Sequence, residues 1–271
     1  AKIGISTPVE ADSKLLEQSV EETMAELEQD TRTQQGQGKA KSHELTGNMI
    51  WASFTHRTSR PVDGIPDCHL HRHCFAFNTT WNTKKNRFQA FEIGNIKRQA
   101  PYYEAAFEAR MARRMKKLGY DIETRGLSWE IRDIKRTTIE KFSRRTSQIE
   151  TEAKREATEN GFITASLKDK LGSRTRLTKR IGQTYEKLRE IWRSWLNDDE
   201  KETIDRARTP ESRAAGKKKS LEMAEDALNG AVDHLFERKS VVEEKRLLRE
   251  ALKRGYGEVL PEEIRQVAQA A

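Results

Sequence analysis

The stretch "PDCHLHRHCFAFN", residues 66–78, decides what fold and chemistry to expect of this chain. Three histidines alternate with other residues between two cysteines: His69, His71 and His73 between Cys68 and Cys74. On a β-strand the residues i, i+2 and i+4 share one face, so the histidines should point one way and the cysteines the other. The cysteines are therefore not expected to join the histidines around one ion.

The segments around this stretch predict antiparallel strands joined by tight turns. A first strand is expected over 48–59, a turn in "RPVDGIPD" and a second strand over 69–81. A third strand is expected over 87–93, after the turn "NTKKN". Short connections of this kind are typical of a β-meander. Pairing of the first two strands would bring His56 beside His71.

Three imidazoles converging from two strands could hold a metal ion. Two histidines at i and i+2 stand about 7 Å apart along a strand, and His56 is the natural third ligand. Three neutral imidazoles leave coordination positions open, as a catalytic metal site requires. The alternative is a surface run of histidines without metal. A zinc finger is disfavoured, because no second ligand pair follows at finger-like spacing.

The charge pattern predicts a polyanionic partner. The net charge is +8, and residues 84–117 carry ten Lys or Arg against three Glu. Cations placed on phosphates release condensed counterions, although a solvated basic surface is the simpler alternative. Two cysteines in 271 residues fit a reducing compartment. No apolar run suits a membrane span and no signal peptide is evident, so we expect a cytoplasmic protein.

Helical periodicity marks most of the remaining chain. A helix is expected over 11–30, then a polar loop in "TQQGQGKAKS", and a long helix from Pro101 to a stop at Gly119. After about residue 165 the sequence is nearly all helical and highly charged, and 198–220 has few apolar anchors.

Tyr102 and Tyr103 open the long helix beside the basic segment. A phenolate can attack a phosphodiester and hold it covalently. Tyr103 belongs to the apolar stripe of the helix, so packing or base stacking is the better interpretation of this pair. The sequence shows no Ser-His-Asp set, Walker loop or Rossmann glycine pattern.

Several stretches resemble one known family. "FTHRTSR", "LHRHCFAFN", "KKLGYDIE" and "IEKFSRRTSQI" are similar to the second half of the MobF (TrwC-type) conjugative relaxase domain, which belongs to the His-hydrophobic-His (HUH) endonucleases. "HLFERKSVVEEKRLLREAL" resembles the point where the helicase half of that family begins. The similarity runs from about residue 11 to the C-terminus and is weakest between 165 and 225.

The resemblance implies an α+β fold, with an antiparallel sheet palm, helical fingers and a largely helical C-terminal region. It divides the chain into a relaxase palm and fingers at 1–165, a charged helical linker region at 166–229, and a small helical segment resembling the start of a helicase domain at 230–271. It implies metal ligands His56, His71 and His73, with His69 as a bystander. The ion is expected to be Mg²⁺ or Mn²⁺, with Zn²⁺ as the alternative.

The implied activity is nicking of single-stranded DNA at a plasmid origin of transfer during conjugation. A tyrosine cleaves one strand and stays joined to the 5′ phosphate, while the metal polarises the scissile phosphate. The expected DNA-binding residues are Lys84, Lys85, Arg87, Lys97, Arg98, Tyr102, Arg144 and Arg145.

One departure from the family concerns the nucleophile. The family's nucleophilic tyrosines lie near its N-terminus, so we expect them upstream of residue 1, on a segment or partner not in this sequence. A helicase domain is a second expected partner. Two other hypotheses stay open: a non-catalytic single-stranded DNA-binding module, and a metal-dependent DNA hydrolase in which water replaces the tyrosine.

Overall fold

A computed structural model describes residues 9–36, 41–126, 128–160, 163–174, 182–207, 220–237 and 239–270. In chain order the elements are α1 (Val9–Gln29), β1 (Arg32–Gln35), β2 (Ser42–Leu45), β3 (Trp51–Val62), β4 (Ile65–Ala76), β5 (Thr80–Asn82), β6 (Arg87–Gln89), α2 (Ile93–Lys117), β7 (Ile122–Arg125), β8 (Ser128–Ile131), α3 (Arg136–Lys141), α4 (Arg144–Asn160), α5 (Ala165–Arg174), α6 (Tyr185–Ser194), α7 (Asp198–Arg206), α8 (Ser220–Phe236), α9 (Glu244–Arg254) and α10 (Pro261–Ala270). Antiparallel strands in the first half and helices in the second confirm the predicted α+β class.

The strands form four two-stranded sheets within the described residues: β1 with β2, β3 with β4, β5 with β6, and β7 with β8. The expected three-stranded meander is therefore wrong. The predicted strand 69–81 ends at Ala76, and β5 then pairs with β6, with Trp81 opposite Phe88. Asn48 fixes the direction that the chain takes after β4, because its side-chain oxygen accepts from the Trp81 backbone N–H at 2.7 Å.

The polar stretch after α1 also differs from the prediction. It was expected to be a loop, but β1 and β2 pair from Arg32 opposite Leu45 to Gln35 opposite Ser42. Residues 37–40 of this stretch lie outside the described residues. Backbone pairing needs no apolar side chains, so a polar hairpin leaves little hydrophobic pattern in the sequence.

The long helix ends where the sequence predicted but begins earlier. α2 begins at Ile93, so Pro101 lies inside it and the predicted start at Pro101 is wrong. Its C-terminus is as predicted, because Gly119 has a φ of +97° and its N–H donates to the Lys116 carbonyl at 2.9 Å. The earlier start places Lys97 and Arg98 on the helix.

Contacts divide the described chain into two compact units. One comprises the described residues up to Ser13, 55–71 and 133–206; the other comprises 14–54, 72–132 and those from Ala207 onward. This division follows spatial contacts, whereas the predicted boundaries at 165 and 229 follow sequence order. Those boundaries therefore stay a prediction.

The first unit has a core built around Trp192. This side chain is fully buried and packs with Cys68, Phe142, Leu188 and Leu196. Its indole N–H donates to the Pro66 carbonyl at 2.8 Å, which attaches α6 to the start of β4.

The second unit has its core along α2. Small and flexible side chains cover the buried face of this helix, among them Ala105, Ala109 and Met115. α9 packs against α2 and α8, and α10 packs against α8. None of the described helices is long and apolar enough to cross a membrane.

Candidate functional site

A two-residue turn sets the register of the β3–β4 hairpin. Asp63 and Gly64 have φ angles of +51° and +78°, which is the signature of a type I′ turn. Counting back from the turn places His56 opposite His71. The two imidazole rings accordingly stack, with centroids 5.4 Å apart and planes inclined by 23°. The predicted approach of His56 and His71 is confirmed.

The alternation of β4 separates the histidines from the cysteines. Cys68 and Leu70 are buried, and Cys68 belongs to the Trp192 core. His69 and His71 are half-buried and point to the opposite face, while Cys74 is exposed. The cysteines therefore stand apart from the histidine face, as strand geometry predicted.

His71 has a defined tautomer. Its Nδ1 lies 2.9 Å from the backbone carbonyl oxygen of His69. A carbonyl oxygen only accepts, so Nδ1 carries a proton, and in the neutral imidazole the lone pair then lies on Nε2. In metal sites a hydrogen bond from one ring nitrogen to a carbonyl or carboxylate oxygen typically orients the histidine, and the other nitrogen binds the metal.

His69 belongs to the same group of rings. Its imidazole stacks on that of His71, with centroids 4.5 Å apart. The first unit thus brings His56, His69 and His71 together. His73 is exposed and belongs to the second unit, so it is described separately. No group of three or more His, Cys, Asp or Glu among the described residues is arranged to hold a metal ion, and the three-histidine site stays a prediction.

Arg144 holds the start of β4 in place. Its Nε donates to the buried Asp67 carboxylate at 2.6 Å, and its Nη2 donates to the Ile65 carbonyl at 2.6 Å. The guanidinium also lies 4.2 Å above the Trp195 ring. Arg145, its neighbour, donates to the Gly172 carbonyl at 2.9 Å. Both arginines were predicted to bind DNA, and the structure engages both in internal contacts of the first unit.

The other predicted DNA-binding cations lie on the second unit and are exposed: Lys84, Lys85, Arg87, Lys97 and Arg98. Lys84 pairs with Glu44 at 3.0 Å. A hydrogen bond from Asn82 and the charge of Lys84 lower the pKa of Glu44. The β5–β6 turn thus presents cations at its tip, beside an edge-to-face pair that sequence reasoning missed, Trp81 and Phe88, 4.9 Å apart. Their positions on either side of the "NTKKN" turn were the signal in the sequence from which this pair could have been predicted.

Tyr102 and Tyr103 are buried in the second unit. The Tyr102 hydroxyl donates to Glu26 and accepts from Arg265, and the Tyr103 hydroxyl donates to Asp30 at 2.7 Å. Burial raises the pKa of both phenols. Tyr102 was predicted as a DNA contact, but a ring that is 2% exposed has no free face for a base. The structure gives this pair the packing role.

Comparison with known proteins identifies the family. A model of the TrwC relaxase family matches residues 9–198, which is more than half of the chain. The chain belongs to the TrwC relaxase family. No curated protein matches it.

Solved structures of TrwC relaxase resemble the chain in fold. A metal-free complex of the conjugative relaxase TrwC with OriT DNA is 26% identical, with a TM-score of 0.58 over 67% of this chain and 63% of that one. A metal-bound complex with OriT DNA is 25% identical, with a TM-score of 0.59 over 71% and 64%. A third holds a 27-mer DNA with the recognition hairpin and the cleavage site. The chain thus spans less than two thirds of these TrwC relaxase chains.

Proposed function

We propose that this chain is part of a DNA relaxase that nicks single-stranded DNA at a plasmid origin of transfer and joins it by transesterification. The observation that carries the proposal is the His56–His71 pair on the β3–β4 hairpin, in a chain of the TrwC relaxase family. Solved TrwC relaxases bind OriT DNA. The cytoplasm, where a plasmid is processed, is the compartment that this function implies.

We propose His56, His71 and His73 as ligands of a divalent metal ion. The hydrogen bond from Nδ1 of His71 supports this, because Nε2 is then the ring nitrogen that would coordinate the metal. When bound, the ion would polarise the scissile phosphate and stabilise charge on its oxygens. Copper-bound and metal-bound TrwC relaxases are known. Imidazole favours Zn²⁺ over Mg²⁺, so Mg²⁺, Mn²⁺ and Zn²⁺ all belong in the test.

We propose that the nucleophilic tyrosine is not one of the five in this chain. Tyr102, Tyr103, Tyr120 and Tyr256 are buried. Tyr185 is half-buried and packs edge-to-face on Trp192, with ring centroids 5.8 Å apart. A nucleophile must reach a phosphorus atom, and burial also disfavours the phenolate. The tyrosine would then come from another relaxase segment.

We propose that the exposed cations hold the phosphates of the DNA strand. Lys84, Lys85 and Arg87 lie together at the β5–β6 turn, and Lys97 and Arg98 lie on the first turns of α2. Arg144 and Arg145 would act indirectly, by supporting the hairpin and helices of the first unit. A helicase domain following α9 and α10 is the further partner that the family resemblance implies.

Metal titration tests the site most directly. Isothermal titration with each of the three ions should show one site in the full chain. His56→Ala and His71→Ala should each raise the dissociation constant for the metal at least about tenfold. His234 is exposed on α8, and His234→Ala should leave the dissociation constant unchanged. Undiminished metal stoichiometry in the His56→Ala/His71→Ala double variant would rule out the triad.

Product analysis separates the relaxase from its alternatives. The chain alone, with metal and an oligonucleotide containing the origin site, should give no protein–DNA adduct on a denaturing gel. An adduct would contradict the proposed origin of the nucleophile. Repeated cleavage without an adduct would instead indicate the hydrolase, in which water attacks.

A further inference from the structure

An exposed phenylalanine stands next to the cationic β5–β6 turn. Phe88 lies on β6, directly opposite Trp81 of β5, and is 60% exposed. The two rings meet edge-to-face, with centroids 4.9 Å apart and planes inclined by 71°. Trp81 is half-buried and supports one side of the Phe88 ring. Most of the Phe88 ring therefore stays open to solvent while its position is held from one side.

The other face of the β5–β6 hairpin is packed. Thr80 and Asn82 are each 1% exposed. The Thr80 hydroxyl donates to the Asn48 carbonyl at 2.7 Å, and the Asn82 side-chain amide donates to the Glu44 carboxylate at 2.9 Å. Successive residues of a strand point to opposite faces, so this packing directs the residues between and opposite them outward. The outward pair is Trp81 and Phe88.

Hydrogen bonds also fix the turn itself. The Lys85 backbone N–H donates to the Asn82 side-chain oxygen at 3.0 Å, and the Lys85 side chain donates to Gln35. Asn86 has a φ of +50°, in the left-handed region that asparagine enters more readily than most residues. A preformed turn keeps the Phe88 ring and the cations at a set spacing, which reduces the ordering that binding would cost.

Cations flank the ring on the chain. Lys84 and Lys85 lie in the turn, and Arg87 directly precedes Phe88. The Lys84 side chain is 80% exposed although it pairs with Glu44 at 3.0 Å. An ion pair that is so exposed contributes little to stability, so Lys84 can exchange its partner for a phosphate.

Charge distinguishes Phe88 from the exposed phenylalanines around β4. Phe75 and Phe77 are 59% and 48% exposed. In residues 72–77 the one Lys or Arg is Arg72, which pairs with Glu17 at 2.8 Å. Surfaces that bind single-stranded nucleic acid combine aromatic rings for the bases with cations for the phosphates. Phe88 has both features at one turn, and Phe75 and Phe77 have only the first.

We propose that a base of the bound single-stranded DNA stacks on Phe88, while Lys84 and Lys85 hold neighbouring phosphates. This rests on the DNA binding proposed above and adds a contact with a base to the contacts with phosphates. Every base has a π face, so Phe88 contributes affinity rather than sequence preference. Its contribution does not depend on salt, because stacking releases no condensed counterions.

The test measures the affinity of the full chain for a labelled oligothymidylate by fluorescence anisotropy at a series of salt concentrations. Phe88→Leu keeps an apolar side chain but removes the ring. It should raise the dissociation constant at least about fivefold at every salt concentration and leave the slope of log K against log salt unchanged. Phe88→Trp should bind at least as tightly as the unmodified chain. Phe236→Leu, at an exposed position on α8, is the matched control and should leave the dissociation constant unchanged.

A fully abasic oligonucleotide of the same length separates the bases from the backbone. It carries the same phosphates but offers nothing to stack. Phe88→Leu should therefore bind the abasic strand as the unmodified chain does, which makes the pair of proteins and the pair of strands a double-mutant cycle.

Four results would overturn the proposal: oligothymidylate binding that Phe88→Leu leaves unchanged, an equal loss of affinity for the abasic strand, a changed salt slope in Phe88→Leu, and no binding of either strand. Since no metal is added and no cleavage is measured, failure of the proposed nicking activity alone would leave the stacking result intact. Unchanged thermal unfolding of the variants confirms that they are folded.

Discussion

Arg144, the first residue of α4, donates from Nε to the buried Asp67 carboxylate across 2.6 Å and so ties a helix to the strand that carries the histidines. The Arg144 backbone N–H donates to the same carboxylate at 3.0 Å. The pair joins sequence positions 77 residues apart. It gives a structural reason for an arginine that the sequence alone suggested as a DNA contact.

Arg144→Ala should destabilise the protein by about 3 kcal/mol, because it leaves the buried Asp67 charge without its partner. The measurement is urea unfolding followed by circular dichroism. Asp67→Ala/Arg144→Ala should be more stable than Arg144→Ala alone, since no isolated charge remains. A loss of DNA affinity in Arg144→Ala with unchanged stability would instead favour a direct DNA contact.

Three phenols should stay protonated until the protein unfolds. Burial raises the pKa of Tyr102, Tyr103 and Tyr256 above the value of about 10 that tyrosine has in an unfolded chain. The unfolded state therefore loses these protons first as the pH rises. The resulting contribution to stability is complete below pH ~9 and is lost above pH ~10.

Tyrosine ionisation is measured by absorbance at 295 nm, and helix content by circular dichroism, between pH 8 and pH 13. We expect the rise in tyrosinate from the buried phenols to coincide with the loss of helix. Ionisation of all five tyrosines near pH 10 in the folded protein would contradict the burial of these side chains.

Arg265 of α10 should contribute to the stability of the second unit. It donates to Glu26 of α1 and to the Tyr102 hydroxyl. Glu26 is buried and also accepts from Arg110 at 2.7 Å, so its charge stays partly compensated without Arg265. We expect Arg265→Ala to cost about 2 kcal/mol in urea unfolding.

The exposed Arg246→Ala on α9 is the control and should change stability by less than about 0.5 kcal/mol. Equal effects of the two substitutions would show that α10 does not depend on this contact. Arg265 lies beyond residue 198, where the family match ends.

The salt dependence of DNA binding tests whether the cations of the β5–β6 turn contact phosphates. Each phosphate neutralised on single-stranded DNA contributes about 0.7 to the slope of log K against log salt concentration. Replacing Lys84, Lys85 and Arg87 together by Ala should therefore reduce the slope by up to about 2, measured by fluorescence anisotropy with a labelled oligonucleotide.

A triple alanine variant of exposed cations elsewhere, Lys187, Lys239 and Arg246, removes the same charge and should leave the slope nearly unchanged. Equal reductions in both triple variants would mean that net charge, rather than the β5–β6 turn, determines the affinity.

Local patterns in the sequence predicted the elements whose causes lie within a few residues. The Asp63–Gly64 turn and strand alternation placed His56 beside His71 and separated Cys68 from the histidines. The helix stop was predicted at Gly119 because it is a glycine, and the left-handed φ angle of this residue confirms it. The family was also evident in short motifs around the histidines, and the match over residues 9–198 confirms it.

The tertiary structure decided what depends on distant partners. The sequence left packing and base stacking open for Tyr102, because it could not show that the hydroxyl meets Glu26 and Arg265. Pro101 looks like a helix start in isolation, yet α2 continues through it from Ile93. Turn types and strand faces come from local backbone geometry, whereas burial and the use of a charged side chain depend on which residues of the folded chain surround it.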